Sequence, residues 1–270
     1  MKLGKIGRDK FDLVNWLTFL DLQGRVKTQD IPLKLIGGLF MAQDKETCVI
    51  VGAGGGLSAS LARLFNAENM SIVLAARDIQ KLEGLKEEIN CDLVQCDATK
   101  IDQVESLFAH IDQVSGKPAV VVYNPSARIR GDITSLDPVE TKLAIETTCY
   151  GAFLVAQQAA IRMTKNGCGS IFFTGASAGI KGFPNSSVFA MGKFGLRGLA
   201  QSLARELQPK NIHVAHFVID GGISSESRPD PGEQTLLNAD EIAKTYLHFY
   251  HQDRSAWSWE IELRPWVEKF

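Results

Sequence analysis

Residues 47–58 read Thr-Cys-Val-Ile-Val-Gly-Ala-Gly-Gly-Gly-Leu-Ser and join a short apolar run to a glycine-rich turn. The run is rich in β-branched residues, which is typical of a strand buried in a parallel sheet. Over 57–68, apolar residues then recur at helical spacing. A glycine turn between a strand and a helix lets backbone N–H groups approach a pyrophosphate. The segment therefore predicts a dinucleotide-binding unit, and the alternative is a tight turn in a sheet that binds another ligand.

The rest of the chain alternates strand and helix patterns. Further strands are predicted at 71–75, 92–96, 118–123, 169–174, 213–219 and 259–263, and helices at 79–89, 104–111, 139–163, 186–207 and 241–250. Near-continuously apolar strands that alternate with helices predict a parallel sheet with helices on both faces. The expected fold is α/β, a single doubly wound Rossmann domain of about seven strands over residues 41–270. Because ligands of such sheets bind at the carboxyl ends of the strands, the residues after each strand are the candidate site.

Residues 1–40 are predicted to be an N-terminal extension, loosely ordered or carrying a short amphipathic helix over 11–20. The extension resembles neither a secretory signal nor an organelle transit peptide, because it lacks a cleavage site and contains four aspartates. A docking or membrane-surface segment is the alternative. Since Met41 directly precedes the predicted domain, a further hypothesis is that residues 1–40 do not belong to the native protein.

Composition excludes several classes of protein. Lys and Arg number 29 and Asp and Glu number 31, with no block of like charge, which argues against a nucleic-acid-binding surface. No apolar run is long enough to span a membrane. The five cysteines form no C-x-x-C pair, which favours a reducing compartment, and the expected location is cytoplasmic. No histidine pair has metal-site spacing, so no metal is expected.

The spacing Gly52-x-x-x-Gly56-x-Ser58 resembles the glycine motif of the short-chain dehydrogenase/reductase family, G-x-x-x-G-x-G, with Ser58 in place of the third glycine. The resemblance covers roughly residues 45–265. It implies that the turn binds the cofactor through five residues, namely Gly52, Gly54, Gly55, Gly56 and Leu57.

The end of the second strand bears on the choice of cofactor. An acidic residue there binds the ribose hydroxyls of NAD, but this chain has Ala76 followed by Arg77. A guanidinium suits a 2′-phosphate, and this arrangement resembles the NADP-preferring members of the family. The prediction is therefore NADP(H) in preference to NAD(H). The alternative is that Arg77 is solvated and Asp78 binds the ribose.

The resemblance assigns further cofactor contacts after the other strands. Asp97 and Ala98 match the family's adenine-binding position, and Asn124 is retained from its N-N-A-G motif. Gly221 and Ile223 follow the sixth strand, where backbone is expected to meet the nicotinamide carboxamide. The alternative for Asp97 and Asn124 is ordinary turn chemistry.

The family's proton-transfer motif, Y-x-x-x-K, is altered in this chain. Lys193 matches the lysine that binds the nicotinamide ribose, but Phe189 stands where the tyrosine belongs and has no proton to transfer. Ala176 occupies the position of the family's serine, and the adjacent Ser177 is a replacement. Thr148 occupies the position of the helix asparagine. The candidate catalytic set is therefore Lys193, Ser177, Thr148 and Phe189.

Two functions are consistent with this pattern. The first is an NADP(H)-dependent oxidoreductase with a modified proton relay, acting on a small carbonyl, alcohol or activated C=C substrate. The proton would come from Ser177, Thr148, water, or a tyrosine brought near by the fold (Tyr123 or Tyr150). The second is a non-catalytic protein that binds the dinucleotide as a sensing or structural ligand, with Phe189 as a core aromatic.

The resemblance also implies a homodimer or homotetramer, since family members pair through the helices predicted at 139–163 and 186–207. The segment 224–238 is rich in proline and charge and is predicted to be a loop over the substrate.

Overall fold

Seven strands form one sheet in which every pairing is parallel. This computed structural model describes residues 45–114, 116–225 and 228–268, so the predictions for residues 1–40 lie outside the described residues. The strands are β1 (Thr47–Val51), β2 (Ser71–Ala76), β3 (Asp92–Gln95), β4 (Pro118–Tyr123), β5 (Gly169–Thr174), β6 (Ile212–Ile219) and β7 (Glu260–Leu263). Their order is 3-2-1-4-5-6-7. The predicted doubly wound α/β fold is confirmed, and the strand order reverses between β1 and β4, where such sheets bind ligands.

Seven α-helices cover the two faces of the sheet over the described residues. They are α1 (Leu57–Ala67), α2 (Glu83–Ile89), α3 (Ile101–Val114), α4 (Pro138–Ile145), α5 (Gly151–Asn166), α6 (Ser187–Leu207) and α7 (Ala239–Tyr250). Side chains from β1 alternate between the faces, because successive residues of a strand point in opposite directions. Val49 packs with α3, α5 and α6, whereas Ile50 packs with α1 and α7.

The helix predicted over 139–163 is present, with a π-type segment inside it. A wide turn with π-helical geometry, Glu146–Tyr150, separates α4 from α5. It places Thr148, which is 1% exposed, against α6 at Gly192. A Cβ at Gly192 would lie 2.9 Å from the Thr148 Cβ, so the close approach of the two helices requires glycine there.

A second close approach sets the position of α5 over β4. A Cβ at Gly151 would lie 2.5 Å from the Tyr123 hydroxyl and 2.8 Å from the Ala98 carbonyl oxygen. The start of α5 therefore packs directly on the end of β4 and on the segment after β3. This is the edge of the sheet where the candidate site residues lie.

Within the part of the chain that the structure describes, no helix is both long enough and apolar enough to cross a bilayer.

Candidate functional site

Gly52 forms the sharp bend at the end of β1. Its φ is +78°, and its N–H and that of Ala53 both donate to the Ala75 carbonyl oxygen, at 2.9 and 3.0 Å. A Cβ at this position would lie 2.6 Å from the backbone nitrogen of Pro125. Glycine is therefore required by both the left-handed backbone and the neighbouring chain.

The rest of the glycine turn is open. Cβ atoms at Gly54, Gly55 and Gly56 would meet no atom within 4 Å, and no side chain caps the N-terminus of α1. The first N–H groups of a helix have no partner within it and attract anions. The turn borders a cleft of about 440 Å³, here called the glycine cleft, which Leu57, Asn124 and residues 223–225 also line. Open backbone and an uncapped helix N-terminus fit a pyrophosphate.

Ser58 is part of a short hydrogen-bonded chain that ties the turn together. The Asn124 side-chain amide donates to the Ser58 hydroxyl at 2.8 Å, and this hydroxyl donates to the Gly52 carbonyl oxygen at 3.3 Å. Ser58 is 2% exposed. The side chain that departs from the family's third glycine therefore has defined partners on β4 and on the turn.

A second cleft of about 390 Å³, the strand-tip cleft, lies beside the ends of β2 and β3 and includes Arg77. The neighbouring Asp78 is already engaged, because its carboxylate accepts from the Gln80 N–H at 3.2 Å and pairs with Lys81 at 3.0 Å. Among the described residues, Arg77 has no ion-pair partner. The Arg77 guanidinium is thus the charged group without an ion-pair partner at this strand tip, and it can bind a phosphate.

Asp97 and Ala98 also line the strand-tip cleft. The Asp97 Oδ1 atom accepts from the Thr99 N–H at 3.0 Å and from its hydroxyl at 2.8 Å. Partial burial opposes ionisation, but these bonds and the nearby Arg77 and Lys100 hold the pKa of Asp97 below its ordinary value. The carboxylate is therefore held ionised and oriented at the cleft wall.

Lys193 is buried beneath the catalytic end of the site. Its side chain is 2% exposed, and Nζ donates to the Thr174 carbonyl oxygen at 2.8 Å. Nζ lies 5.9 Å from the centre of the Phe189 ring. Burial lowers the pKa of Lys193 to about 7, because a charged ammonium is disfavoured away from water.

His216, Glu260 and Arg197 form a hydrogen-bonded cluster on the same side of β6 as Lys193. The sequence analysis did not identify this cluster. The His216 Nδ1 lies 3.0 Å from Glu260, whose carboxylate accepts two bonds from Arg197 at 2.7 Å. Burial lowers the pKa of His216 to about 4 against the opposing effect of Glu260, with Lys193 and Arg197 contributing in the same direction as burial. His216 is therefore neutral at pH 7 and makes no additional cation next to Lys193.

Ser177 and Phe189 meet in a third cleft of about 260 Å³, here called the arginine cleft, together with Gly221, Arg128 and Arg228. Ser177 begins a short 3₁₀ turn, Ser177–Gly179, directly after β5. The Arg128 guanidinium lies 5.1 Å from the centre of the Phe189 ring, a cation–π contact. Of the four candidate catalytic residues, Ser177 and Phe189 line the cleft, whereas Lys193 and Thr148 are buried and do not line it.

The other candidate proton donors lie away from this cleft. Thr148 accepts a hydrogen bond from the Ala127 N–H at 3.1 Å. Tyr123 is buried and donates to the Thr147 carbonyl oxygen at 2.5 Å, and burial raises the pKa of its phenol. Tyr150 stacks on Phe153 at 6.2 Å on an exposed face of α5. Neither tyrosine lines the three clefts described above.

Arg128, Arg130 and Arg228 line these clefts, and the sequence analysis named none of them singly, although Arg228 lies in the predicted substrate loop 224–238. The first two follow β4 within six residues of Asn124, at the edge of the sheet where ligands bind, so a signal was present in their position. Arg228 follows β6 on a segment that folds back, with backbone bonds between Ser225 and Arg228 in both directions at 2.9 and 3.0 Å. That contact depends on the tertiary path of the loop.

The fold and the order of these features match known proteins. The family model described as short chain dehydrogenase matches residues 46–233. A crystal structure of a short-chain dehydrogenase from Rhodopseudomonas palustris is 34% identical, with a TM-score of 0.72, and the alignment covers 82% of this chain and 99% of that one. An uncharacterized oxidoreductase of Staphylococcus aureus (strain USA300) is 24% identical over 226 residues, 82% of this chain and 97% of that protein.

A metagenomic short-chain oxidoreductase crystallised in complex with NADP shares the fold, with a TM-score of 0.73 at 23% identity over 83% of this chain and 98% of that one. The family model covers more than half of the chain, and the glycine turn, strand order and strand-end clefts agree with it. On this basis the chain belongs to the short-chain dehydrogenase/reductase family of NAD(P)-dependent oxidoreductases.

Proposed function

We propose that this protein is an NADP(H)-dependent oxidoreductase that acts on a small carbonyl, alcohol or activated C=C substrate with a modified proton relay. One observation carries the proposal. An open glycine turn at an uncapped helix N-terminus lies on the same edge of the sheet as a cleft lined by Ser177 and Phe189. A cofactor site and a substrate site are thus adjacent, as hydride transfer requires.

The cofactor would lie across the carboxyl ends of the strands. The glycine turn and Leu57 would hold its phosphates, and Asp97 with Ala98 would contact the adenine. Asn124, Gly221 and Ile223 would contact the nicotinamide end, which supplies or accepts the hydride when the cofactor is bound. Asn124 and Ile223 line the glycine cleft and Gly221 lines the arginine cleft, so the assigned contacts form a continuous path.

A preference for NADP(H) over NAD(H) rests on Arg77. Its guanidinium is unpaired among the described residues, whereas the Asp78 carboxylate is held by Lys81 and by a backbone N–H. Paired N–H donors of arginine match a phosphate monoester. This arrangement favours a 2′-phosphate over two free ribose hydroxyls.

Lys193 would bind the nicotinamide ribose. Its amino group has more than one donor, so the bond to Thr174 leaves another for a ribose hydroxyl. The depressed pKa also makes proton exchange with a bound hydroxyl feasible near pH 7.

Phe189 would occupy the place of the family's tyrosine, so the proton must come from another group. Ser177 lines the substrate cleft, whereas the Thr148 hydroxyl is buried and already bonded to the Ala127 N–H. We assign the relay to Ser177 acting with water. Reduction of an activated C=C bond suits this arrangement, because hydride addition gives an enolate that water can protonate.

The second candidate function is non-catalytic binding of the dinucleotide. The contact between Lys193 and a main-chain carbonyl supports it, since that bond serves folding as well as catalysis. Phe189 would then be a packing residue.

Two measurements separate the candidates. Calorimetric titration of NADPH and NADH tests binding, and loss of reduced-nicotinamide absorbance with a panel of ketones and enones tests turnover. The oxidoreductase predicts NADPH oxidation that falls at least about tenfold in Ser177→Ala. In Phe189→Tyr, ketone reduction should rise, while Phe194→Tyr, on an exposed face of the same helix, should leave the rate unchanged. NADPH binding with no oxidation by the wild type or Phe189→Tyr favours the second candidate, and no binding overturns both.

A homodimer or homotetramer and a cytoplasmic location complete the proposal. Exposed apolar side chains on α5, on α6 and at the end of the wide turn support self-association, among them Tyr150, Phe153, Ile161, Met191 and Phe194. Light scattering on the purified chain tests it, and a monomer at micromolar concentration would contradict it.

A further inference from the structure

The arginine cleft opens beside a larger cleft that shares part of its wall. The larger cleft, of about 720 Å³, is also lined by Arg128 and Ser177 and adds Arg130 and Asp132. Both openings therefore lie at the position where a substrate would meet Ser177.

Positive charge dominates these two clefts. Arg128, Arg130 and Arg228 have no ion-pair partner among the described residues. All three side chains are exposed to solvent. Partial burial lowers the pKa of Arg128, and so does the repulsion by Arg130 and Arg228. Arg128 thus lines one cleft with Arg130 and the other with Arg228, and an anion bound beside Arg128 would offset the repulsion by these neighbours.

The acidic side chain in the larger cleft is already engaged. The Asp132 Oδ1 atom accepts from the Thr134 N–H at 2.9 Å and from the Thr134 hydroxyl at 2.6 Å. Those bonds orient the carboxylate within its own turn and leave the arginines as the groups available to a ligand.

Two contacts hold the guanidinium groups in place without neutralising them. Arg128 lies over the Phe189 ring. The Arg228 guanidinium packs on Gly222, where a Cβ would lie 2.5 Å from its Cζ. Neither an aromatic ring nor a glycine is a charged partner, so both guanidinium groups keep donors for bidentate binding of an oxyanion.

We propose that the arginine cleft binds an anionic group of the substrate, so that the protein acts on oxo or hydroxy compounds that carry a carboxylate or a phosphate. Arg128 and Arg228 hold the anion, Arg130 attracts it at the entrance, and Ser177 contacts the carbon–oxygen group that reacts. On this arrangement, Phe189 has a second use, since its ring supports a substrate-binding arginine.

Matched probe pairs test this specificity and distinguish the two anions. Acetoacetate is compared with its methyl ester, and dihydroxyacetone phosphate with dihydroxyacetone, both as substrates with NADPH and as ligands titrated calorimetrically into the NADP-saturated full chain. We expect the charged member of at least one pair to bind at least about tenfold more tightly than the neutral one. The pair that shows the difference identifies the anion.

Variants assign the effect to the cleft. Arg128→Ala and Arg228→Ala should each weaken binding of the charged probe by about tenfold or more, and Arg228→Lys by less, because it keeps the charge and loses the paired donors. Arg205 is an exposed arginine of α6, so Arg205→Ala is the control and should leave binding of the charged probe unchanged. NADPH titration of each variant shows whether cofactor binding is intact.

This substrate class depends on the oxidoreductase proposed above, and the two proposals fail differently. If NADPH does not bind, the proposed function fails. If NADPH binds and neutral probes bind or react as well as charged ones, or no charged probe binds, the anionic substrate class is overturned while the cofactor assignment stands.

Discussion

The glycine turn and the proton-transfer end of the site lie on one edge of the same sheet, yet they depend on different parts of the chain. The turn acts through backbone: the bend at Gly52, open glycines, and N–H groups at the start of α1. The proposed proton-transfer end would act through single side-chain atoms, such as the Ser177 hydroxyl and the Lys193 amine. Apart from the bend at Gly52, a backbone site tolerates change in sequence, whereas a side-chain site changes its chemistry with one substitution, as at Phe189.

The largest effect is expected from an added Cβ at the bend of the turn. Gly52→Ala should lower the free energy of unfolding by about 3 kcal/mol and abolish NADPH binding. The position requires a left-handed backbone, which alanine disfavours, and the added Cβ would collide with Pro125. Gly55→Ala is the matched control, since its Cβ meets no atom within 4 Å. Urea unfolding of both variants checks this, and equal stabilities would show that the bend is not restrictive.

The next effect concerns a side chain within the cofactor-binding half. Arg77→Ala should weaken NADPH binding by about 10- to 100-fold, the value of a charge-assisted bidentate contact, and leave NADH binding unchanged. Calorimetry with both cofactors measures it. A parallel loss for NADH would mean that Arg77 supports the cleft generally and does not read the 2′-phosphate.

At the proposed proton-transfer end, burial of Lys193 predicts a pH dependence of the free energy of unfolding. The folded-state pKa of Lys193, about 7, lies below the ordinary value of 10.5, so between these the unfolded chain holds a proton that the folded chain has lost. The free energy of unfolding should therefore rise with pH between about 7 and 9, by about 1 kcal/mol per pH unit relative to Lys193→Met.

Burial also raises the pKa of Cys48 from its ordinary value of 9.0, so at higher pH its ionisation favours the unfolded chain. Because both chains contain Cys48, the difference between the wild type and Lys193→Met isolates the contribution of Lys193. Urea unfolding at several pH values provides the measurement, with the exposed Lys165→Met as control. If the wild type and Lys193→Met have parallel stability curves, the amine is not buried in solution.

The smallest effect is expected from the hydroxyl that links the turn to β4. Ser58→Ala removes the bond from Asn124 and the bond to the Gly52 carbonyl, and should cost about 1 kcal/mol of stability with a modest loss of NADPH affinity. Ser60→Ala, in the same helix, is the control. No loss in Ser58→Ala beyond that of Ser60→Ala would show that the turn is held by backbone alone.

The difference between the two regions also explains what could be predicted from the sequence. The apolar run of Pro118–Tyr123 gave a strand with the bounds that the structure has, because burial on both faces leaves a continuous pattern. Apart from Lys193, which is buried, and Gly221, which lines the arginine cleft, the residues predicted around the cofactor line two adjoining clefts, since position after a strand determines where they lie.

What the sequence did not reveal depends on tertiary contacts. The wide turn at Glu146–Tyr150 contains no proline or glycine to mark it, so the sequence predicted the helix but not the π-type widening within it. Spacing placed Lys193 on the correct helix, but its bond to the Thr174 carbonyl follows from the packing of α6 on β5 and could not be read from the motif. The arginine cleft joins segments separated by about a hundred positions in the chain.

The wide turn between α4 and α5 allows this stretch to take up a change in length. A π-type turn holds one residue more than regular helix needs, and the extra residue is accommodated within the turn itself. Deleting one residue between Glu146 and Tyr150 should therefore restore regular helix while α5 keeps its direction and Gly151 stays against Tyr123. Elsewhere in α4 or α5, each residue lost would turn the side chains that follow by about 100°. Single-residue deletions should therefore be found more often at the wide turn than in the regular helix on either side of it.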